Sequence, residues 1–98
     1  MTHPSKVKGN TFERDLVNEA KEHGLLAERA YASNGRALGL TEDVDCLVGG
    51  KRIQAKRRKK VAKWLIPSDT VDCVATRPDG GEALIVMRYS AFLAMLKD

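Results

Sequence analysis

The 98-residue chain is poor in several things, and each scarcity removes a class of protein. Two cysteines, Cys46 and Cys73, are too few for a disulfide-stapled scaffold, and each lies inside an apolar run. Two cysteines and two distant histidines, His3 and His23, give no zinc-ligand spacing. No uncharged apolar run approaches the roughly 18 residues needed to span a bilayer, so no membrane role is expected. Residues 1–8 are polar and lack an apolar core, so no secretory signal is expected. The cysteines are then expected as buried free thiols in a reducing cytoplasm, in a prokaryotic, viral or phage setting. There are no repeats, low-complexity tracts or linkers, and the length suits one domain, residues 1–98. A chain this short buries only about 60–65% of its unfolded surface, so a partner subunit would help it.

Acidic residues are scarce in one place above all. Residues 51–63 carry Lys51, Arg52, Lys56, Arg57, Arg58, Lys59, Lys60 and Lys63 and no acid. That stretch is +8 and the remaining chain is −4, although the whole is only +4. Such asymmetry points to a polyanionic partner, most often nucleic acid, although a solvated basic face would explain the run taken alone.

Periodicity predicts a helix over about 11–23, with Phe12, Leu16, Val17 and Ala20 on one face. Asn10 followed by Glu13 has a capping-box spacing, and Gly24 is a helix stop. Residues 25–31 read as a strand and 32–42 as a loop. Gly49-Gly50 between two alternating apolar runs, 44–48 and 51–56, reads as a tight β-hairpin. A two-residue loop fixes the register: Val48 opposite Lys51, Leu47 opposite Arg52, Cys46 opposite Ile53, Asp45 opposite Gln54. With period-two alternation, Val44, Cys46, Val48, Ile53 and Ala55 form a core face. Asp43, Asp45, Leu47, Arg52, Gln54 and Lys56 form the other. A short helix or turn around Val61, Trp64 and Leu65 ends at Pro67. Strands follow at 71–76 and 83–87, the latter expected to be buried, with a turn at 77–81 between them. Ser90 is expected to cap a final helix over 91–97. The order α-β-β-β-(α)-β-β-α is mixed α/β, with a central mixed sheet flanked by helices.

Asp45, eight intervening residues and then Gln54-Ala55-Lys56 resemble the signature of the PD-(D/E)xK nucleases: an acid on one strand, then an acid or Gln, any residue, and Lys on the next. Phe12-Glu13 resembles the helix-borne Glu of that superfamily. Residues 29–35, ending Ala32-Ser33-Asn34-Gly35, resemble the Ser-Gly loop of archaeal-type Holliday junction resolvases, with Asn34 standing between Ser33 and Gly35. Ile53-Gln54-Ala55-Lys56-Arg57 resembles the Mrr-type restriction nucleases, which often carry Gln there. The resemblance covers roughly residues 8–60. It implies a restriction-endonuclease-like core, a metal-dependent DNA endonuclease activity, and catalytic residues Glu13, Asp45, Gln54 and Lys56.

The chemistry of phosphodiester hydrolysis agrees. A bound cation offsets charge on the phosphoryl group and activates water, and magnesium prefers oxygen ligands. Asp45 offers a carboxylate, Gln54 a neutral amide oxygen, Ala55 a backbone carbonyl, and Glu13 a second carboxylate. Mg2+ is the expected cofactor, with Mn2+ as the alternative. Lys56 adds a charge suited to the transition state. Against this, Glu13 is also explained by the capping box, Asp45 by a solvated strand face, and Lys56 by the basic stretch.

Arg57, Arg58, Lys59, Lys60 and Lys63, with Ser33 and Arg36, are the expected DNA-binding residues. They would grip phosphates without reading bases. With no room for a specificity domain, a structure-selective nuclease acting on branched or junction DNA is the leading reading. The alternatives are a non-catalytic nucleic-acid-binding domain with a decayed site, and a virus-type replication-repair nuclease with another DNA or RNA substrate. A resolvase cuts two strands symmetrically, and residues 84–87 and 91–97 carry more apolar surface than one sheet face needs. A two-fold homodimer through the final strand and helix is therefore expected.

Overall fold

The computed structural model describes residues 4–30 and 43–97, with side chains from Thr11 onward in the first of these segments. Ser33 and Arg36, and with them the expected Ser-Gly loop, lie outside the described residues. The elements are α1 (Pro4–Glu22), β1 (Ala27–Arg29), β2 (Cys46–Val48), β3 (Lys51–Ile53), a 3-10 turn (Lys63–Leu65), β4 (Cys73–Thr76), β5 (Leu84–Met87) and α2 (Tyr89–Lys97). Order and class are those expected from the sequence. The strands, however, divide between two antiparallel sheets, β1-β2-β3 and β4-β5, where one central mixed sheet was expected. Residues 54–72 form no strand. The described residues form two compact units, one reaching Arg57 and one spanning Arg58–Leu96. Among them no helix is long and apolar enough to cross a membrane.

In the first unit α1 packs on β1 and β2. Leu16, Val17 and Ala20 are buried from the helix, and Cys46 and Val48 from the sheet. The helix begins at Pro4, seven residues before the expected start, so Asn10 lies inside it rather than at its N-cap position. Proline is favoured in a first helical turn, where its missing N–H has no partner to lose. The other end is as expected. Gly24 has φ +82, its N–H donates to the Lys21 carbonyl (2.9 Å), and the Leu25 N–H donates to the Ala20 carbonyl (3.1 Å). These two bonds make a Schellman motif, in which a left-handed residue satisfies the last helical carbonyls. His23 Nδ1–H adds a bond to the Glu19 carbonyl at 2.9 Å.

Gly49 and Gly50 both have positive φ, 53 and 82, the pairing that a type I′ hairpin turn requires. The ladder is Val48–Lys51, Leu47–Arg52 and Cys46–Ile53, in the expected register. On the other side of β2, Ala27 pairs with Val48, Glu28 with Leu47 and Arg29 with Cys46. The strands are shorter than expected, and Asp45 does not pair with Gln54, because the ladder ends at Cys46–Ile53.

In the second unit β4 pairs with β5 from Cys73–Met87 to Thr76–Leu84. The expectation that residues 83–87 are buried fails: Leu84 is 52% and Ile85 60% exposed. A run of apolar residues marks a doubly covered strand only where a second layer exists, and β4-β5 is a two-stranded ribbon. Ser90 lies within the first turn of α2 rather than before it. Leu93 is fully buried and Met95 is 64% exposed. Cys46 is buried as expected, whereas Cys73 is only half-buried, and both are free thiols.

Candidate active site

The site is organised around the backbone of Asp45. Its carbonyl accepts the Ala30 N–H at 2.9 Å, and its N–H donates to the Ile53 carbonyl at 2.8 Å. Ile53 is already the ladder partner of Cys46. Two residues on the β2 side thus meet one on β3, the pattern of a β-bulge, which ends regular pairing and re-aims a side chain. The Asp45 carboxylate then takes the Ala55 N–H through Oδ2 at 2.6 Å. A short bond from a backbone N–H to an ionised carboxylate is a strong one. It replaces the expected Asp45–Gln54 pairing and ties the acid to the middle residue of Gln54-Ala55-Lys56. Ala55 is half-buried, while Gln54 and Lys56 on either side of it are exposed.

Glu13 comes from α1, one turn before the buried Leu16 and Val17, so it is carried onto the sheet by the helix's own packing. Burial raises its carboxyl above the ordinary 4.5, the charge of Asp45 raises it further, and Arg29 opposes them. Glu13 and Asp45 therefore lie within electrostatic reach of each other. Arg29 stands 3.9 Å from Glu13, and both side chains are largely shielded from solvent. Beneath them the Cys46 thiol is pushed up to about 11, first by burial and then by Glu13 and Asp45. It is thus a protonated, inert packing group.

The expected split of the hairpin into two faces is corrected at one residue. Asp45 was placed opposite the Cys46 face, yet it stands with Cys46 against the same residue, Ile53. The bulge accounts for this, since an extra residue shifts the alternation locally. Arg29 was not singled out from the sequence. Its signal was a charge two positions after Ala27 on the inward-facing side of β1, where an unpaired guanidinium would be costly.

The donor set suits a hard divalent cation. The charge of Asp45 raises the proton affinity of Glu13, which a cation beside the two would relieve, and the expected further donors, an amide and a backbone carbonyl, are oxygens as well. Among the described residues no group of three or more His, Cys, Asp or Glu side chains is placed to hold a metal ion. Arg57, Arg58, Lys59, Lys60 and Lys63 are all exposed on the segment that follows Lys56. His23 is engaged at the helix end, away from the role of a ligand.

The model of the archaeal Holliday junction resolvase family matches residues 4–96. No curated protein and no solved structure matches the chain.

Proposed function

The chain belongs to the archaeal Holliday junction resolvase family, and from that premise we propose that it is a divalent-metal-dependent endonuclease that cuts branched DNA, four-way junctions foremost. The observation that carries the site assignment is the bond from the Ala55 N–H to Asp45 Oδ2. It brings the acid just before β2 against the Gln-x-Lys just after β3.

Asp45 and Glu13 would hold the cation, Mg2+ or Mn2+, with the Gln54 amide and the Ala55 carbonyl as further oxygen donors. When bound, the cation offsets charge on the phosphoryl group and lowers the pKa of a bound water. Asp45 is fixed by three backbone contacts, so its free oxygen needs no reorganisation to take part. Arg29 holds Glu13 toward the sheet and opposes the rise in its proton affinity. Lys56 is exposed beside the site and meets the charge that builds on the phosphoryl oxygens. Gln54 would make the site one charge less negative than a third acid there, a deficit that the scissile phosphate would make up. Arg57, Arg58, Lys59, Lys60 and Lys63 grip phosphates and set the register of the duplex, with Ser33 and Arg36 assigned to the same task. The chain acts as one nuclease domain and cuts opposed strands as a two-fold homodimer. Leu84, Ile85 and Met95, all exposed apolar groups, supply its contact.

The test is a panel of four-way junction, flap, linear duplex and single-stranded DNA, each with Mg2+, Mn2+ or a chelator. Metal-dependent cleavage of the junction at symmetric positions, with linear duplex left intact, is the expected result. Gln54 favours a second reading, a nucleic-acid-binding domain with a decayed site. Tight junction binding without cleavage in either metal would establish that reading instead.

A further inference from the structure

Trp64 is the chain's single tryptophan and is 64% exposed. Its apolar neighbours in the chain, Val61 and Ile66, are exposed as well. A tryptophan normally brings a large apolar area into a core, and here that area is left in water. The local structure explains how. Residues 63–65 form a single 3-10 turn, closed by Leu65 N–H to the Ala62 carbonyl (3.0 Å) and Ile66 N–H to the Lys63 carbonyl (3.1 Å). Leu65 is half-buried and Pro67 buried, so the chain is held at the C-terminal end of the turn. Arg88 then fastens the segment after it, donating from Nη2 to the Pro67 carbonyl at 2.8 Å and the Ser68 carbonyl at 3.4 Å. The same guanidinium lies 3.7 Å from Asp69. Trp64 is thus held out on an anchored turn rather than on a loose loop.

The surroundings of the ring decide what it fits. No acid occurs between Lys51 and Ile66, and Lys59, Lys60 and Lys63 stand exposed close by in the chain. A ligand for this patch must be anionic and must also offer a flat apolar face. A nucleic acid offers both, and aromatic rings set among basic side chains hold bases by stacking. Bases inside a linear duplex have both faces covered by their neighbours. A face opens only where the stack is interrupted, as at a branch point.

We propose that Trp64 stacks on a nucleobase opened at the branch point of the substrate, while Lys59, Lys60 and Lys63 hold the flanking phosphates, so that this turn separates branched from linear DNA. The proposal rests on the DNA-nuclease reading above and names the element that selects the substrate's shape. The competing occupant of the patch is a second copy of this chain.

Because Trp64 is the only tryptophan, its fluorescence reports on this position alone. The full chain is titrated in chelator with a dye-labelled four-way junction or linear duplex, following dye anisotropy for binding and tryptophan emission for stacking. At saturation the junction is expected to quench Trp64 emission by more than half, and the linear duplex to leave it nearly unchanged. Trp64→Ala should weaken junction binding about tenfold, equivalent to about 1.4 kcal/mol, with linear-duplex affinity changed less than twofold. Trp64→Phe, which keeps an aromatic face, should recover most of the loss. Junction binding with unchanged emission overturns the proposal, as does equal quenching by both DNAs. A blue shift that grows with protein concentration before DNA is added would assign Trp64 to a contact between copies and overturn it too. If anisotropy detects no binding to any DNA, the nuclease reading itself fails, and the cleavage panel registers that failure separately.

Discussion

In the unit that reaches Arg57, a helix covers a three-stranded sheet, and Leu16, Val17, Ala20, Cys46 and Val48 are all buried. In the unit spanning Arg58–Leu96, Leu93 is buried, while Val61, Trp64, Ile66, Val71, Leu84, Ile85 and Met95 stand in solvent. Both units have similar amounts of apolar sequence, but the first encloses more of it, with Leu26 left exposed. The difference follows from layers. A third strand and a long amphipathic helix give the first unit two surfaces to press together, whereas a two-stranded ribbon has too little area to enclose its side chains. The carboxylates sit on the enclosed unit, where backbone bonds can fix them. The open unit carries the exposed basic and apolar groups on which the proposed contacts with DNA and a second copy rest.

The contrast is tested most severely at Asp45. Asp45→Asn keeps an oxygen for the Ala55 N–H and removes the charge, so the fold should survive. Single-turnover cleavage of a junction should fall at least about 100-fold, with junction affinity changed about twofold. Cleavage at the wild-type rate would move the active centre out of the enclosed unit.

Packing gives the next largest effect. Val48→Ala removes methyl groups from a fully buried site and should cost about 2 kcal/mol in urea unfolding. Ile85→Ala, at an exposed site, should cost less than about 0.5 kcal/mol of protomer stability and weaken self-association in sedimentation equilibrium. Equal losses of stability would erase the distinction between the units.

Lys59→Ala with Lys60→Ala removes two charges from the open unit. The slope of log affinity against log salt should flatten by about 1.8, with single-turnover cleavage at saturating DNA preserved. An unaltered slope would turn that face away from DNA.

The smallest effect concerns Glu13. Its folded-state pKa is raised above the ordinary 4.5, so the folded state retains a proton that the unfolded chain has released. The contribution of Glu13 to stability is therefore fullest below about pH 4.5 and is lost as pH rises through its folded-state value. In chelator, Glu13→Gln should remove part of that decline, gaining on the wild type as the solution is taken to neutrality. A divalent cation should reverse the gain, since it stabilises only the chain that keeps both carboxylates. Parallel pH profiles for the two proteins in chelator would leave Glu13 with no strain to relieve.

The sequence made the hairpin legible because a two-residue glycine turn leaves one register open, and the ladder from Val48–Lys51 to Cys46–Ile53 follows from it. Gly24 was legible for a related reason, since a positive φ there suits glycine far better than any other residue. The bulge at Asp45 was not, because alternation in sequence carries no mark of the position where two residues will face one. The Asn10–Glu13 spacing misled, since a capping box is also an ordinary i, i+3 pair inside a longer helix. Residues 84–87 misled because apolar content reports what a strand can bury, not whether a second layer is present to bury it. Arg29 was missed because its partner lies on another element, and only the docking of α1 brings Glu13 to it.

The type I′ turn at Gly49-Gly50 also divides the site in time. Asp45 and Ala55 are ten positions apart along the chain, within one hairpin, and β-hairpins form in about 1–10 microseconds. Glu13 stands 32 positions before Asp45 and arrives only when α1 settles on the sheet, a contact of much longer loop closure. One half of the candidate centre is therefore written into a local fold-back of the chain, and the other into its tertiary assembly. Substitutions that loosen the α1–sheet packing should separate the two carboxylates while leaving the bond between Asp45 and Ala55 in place.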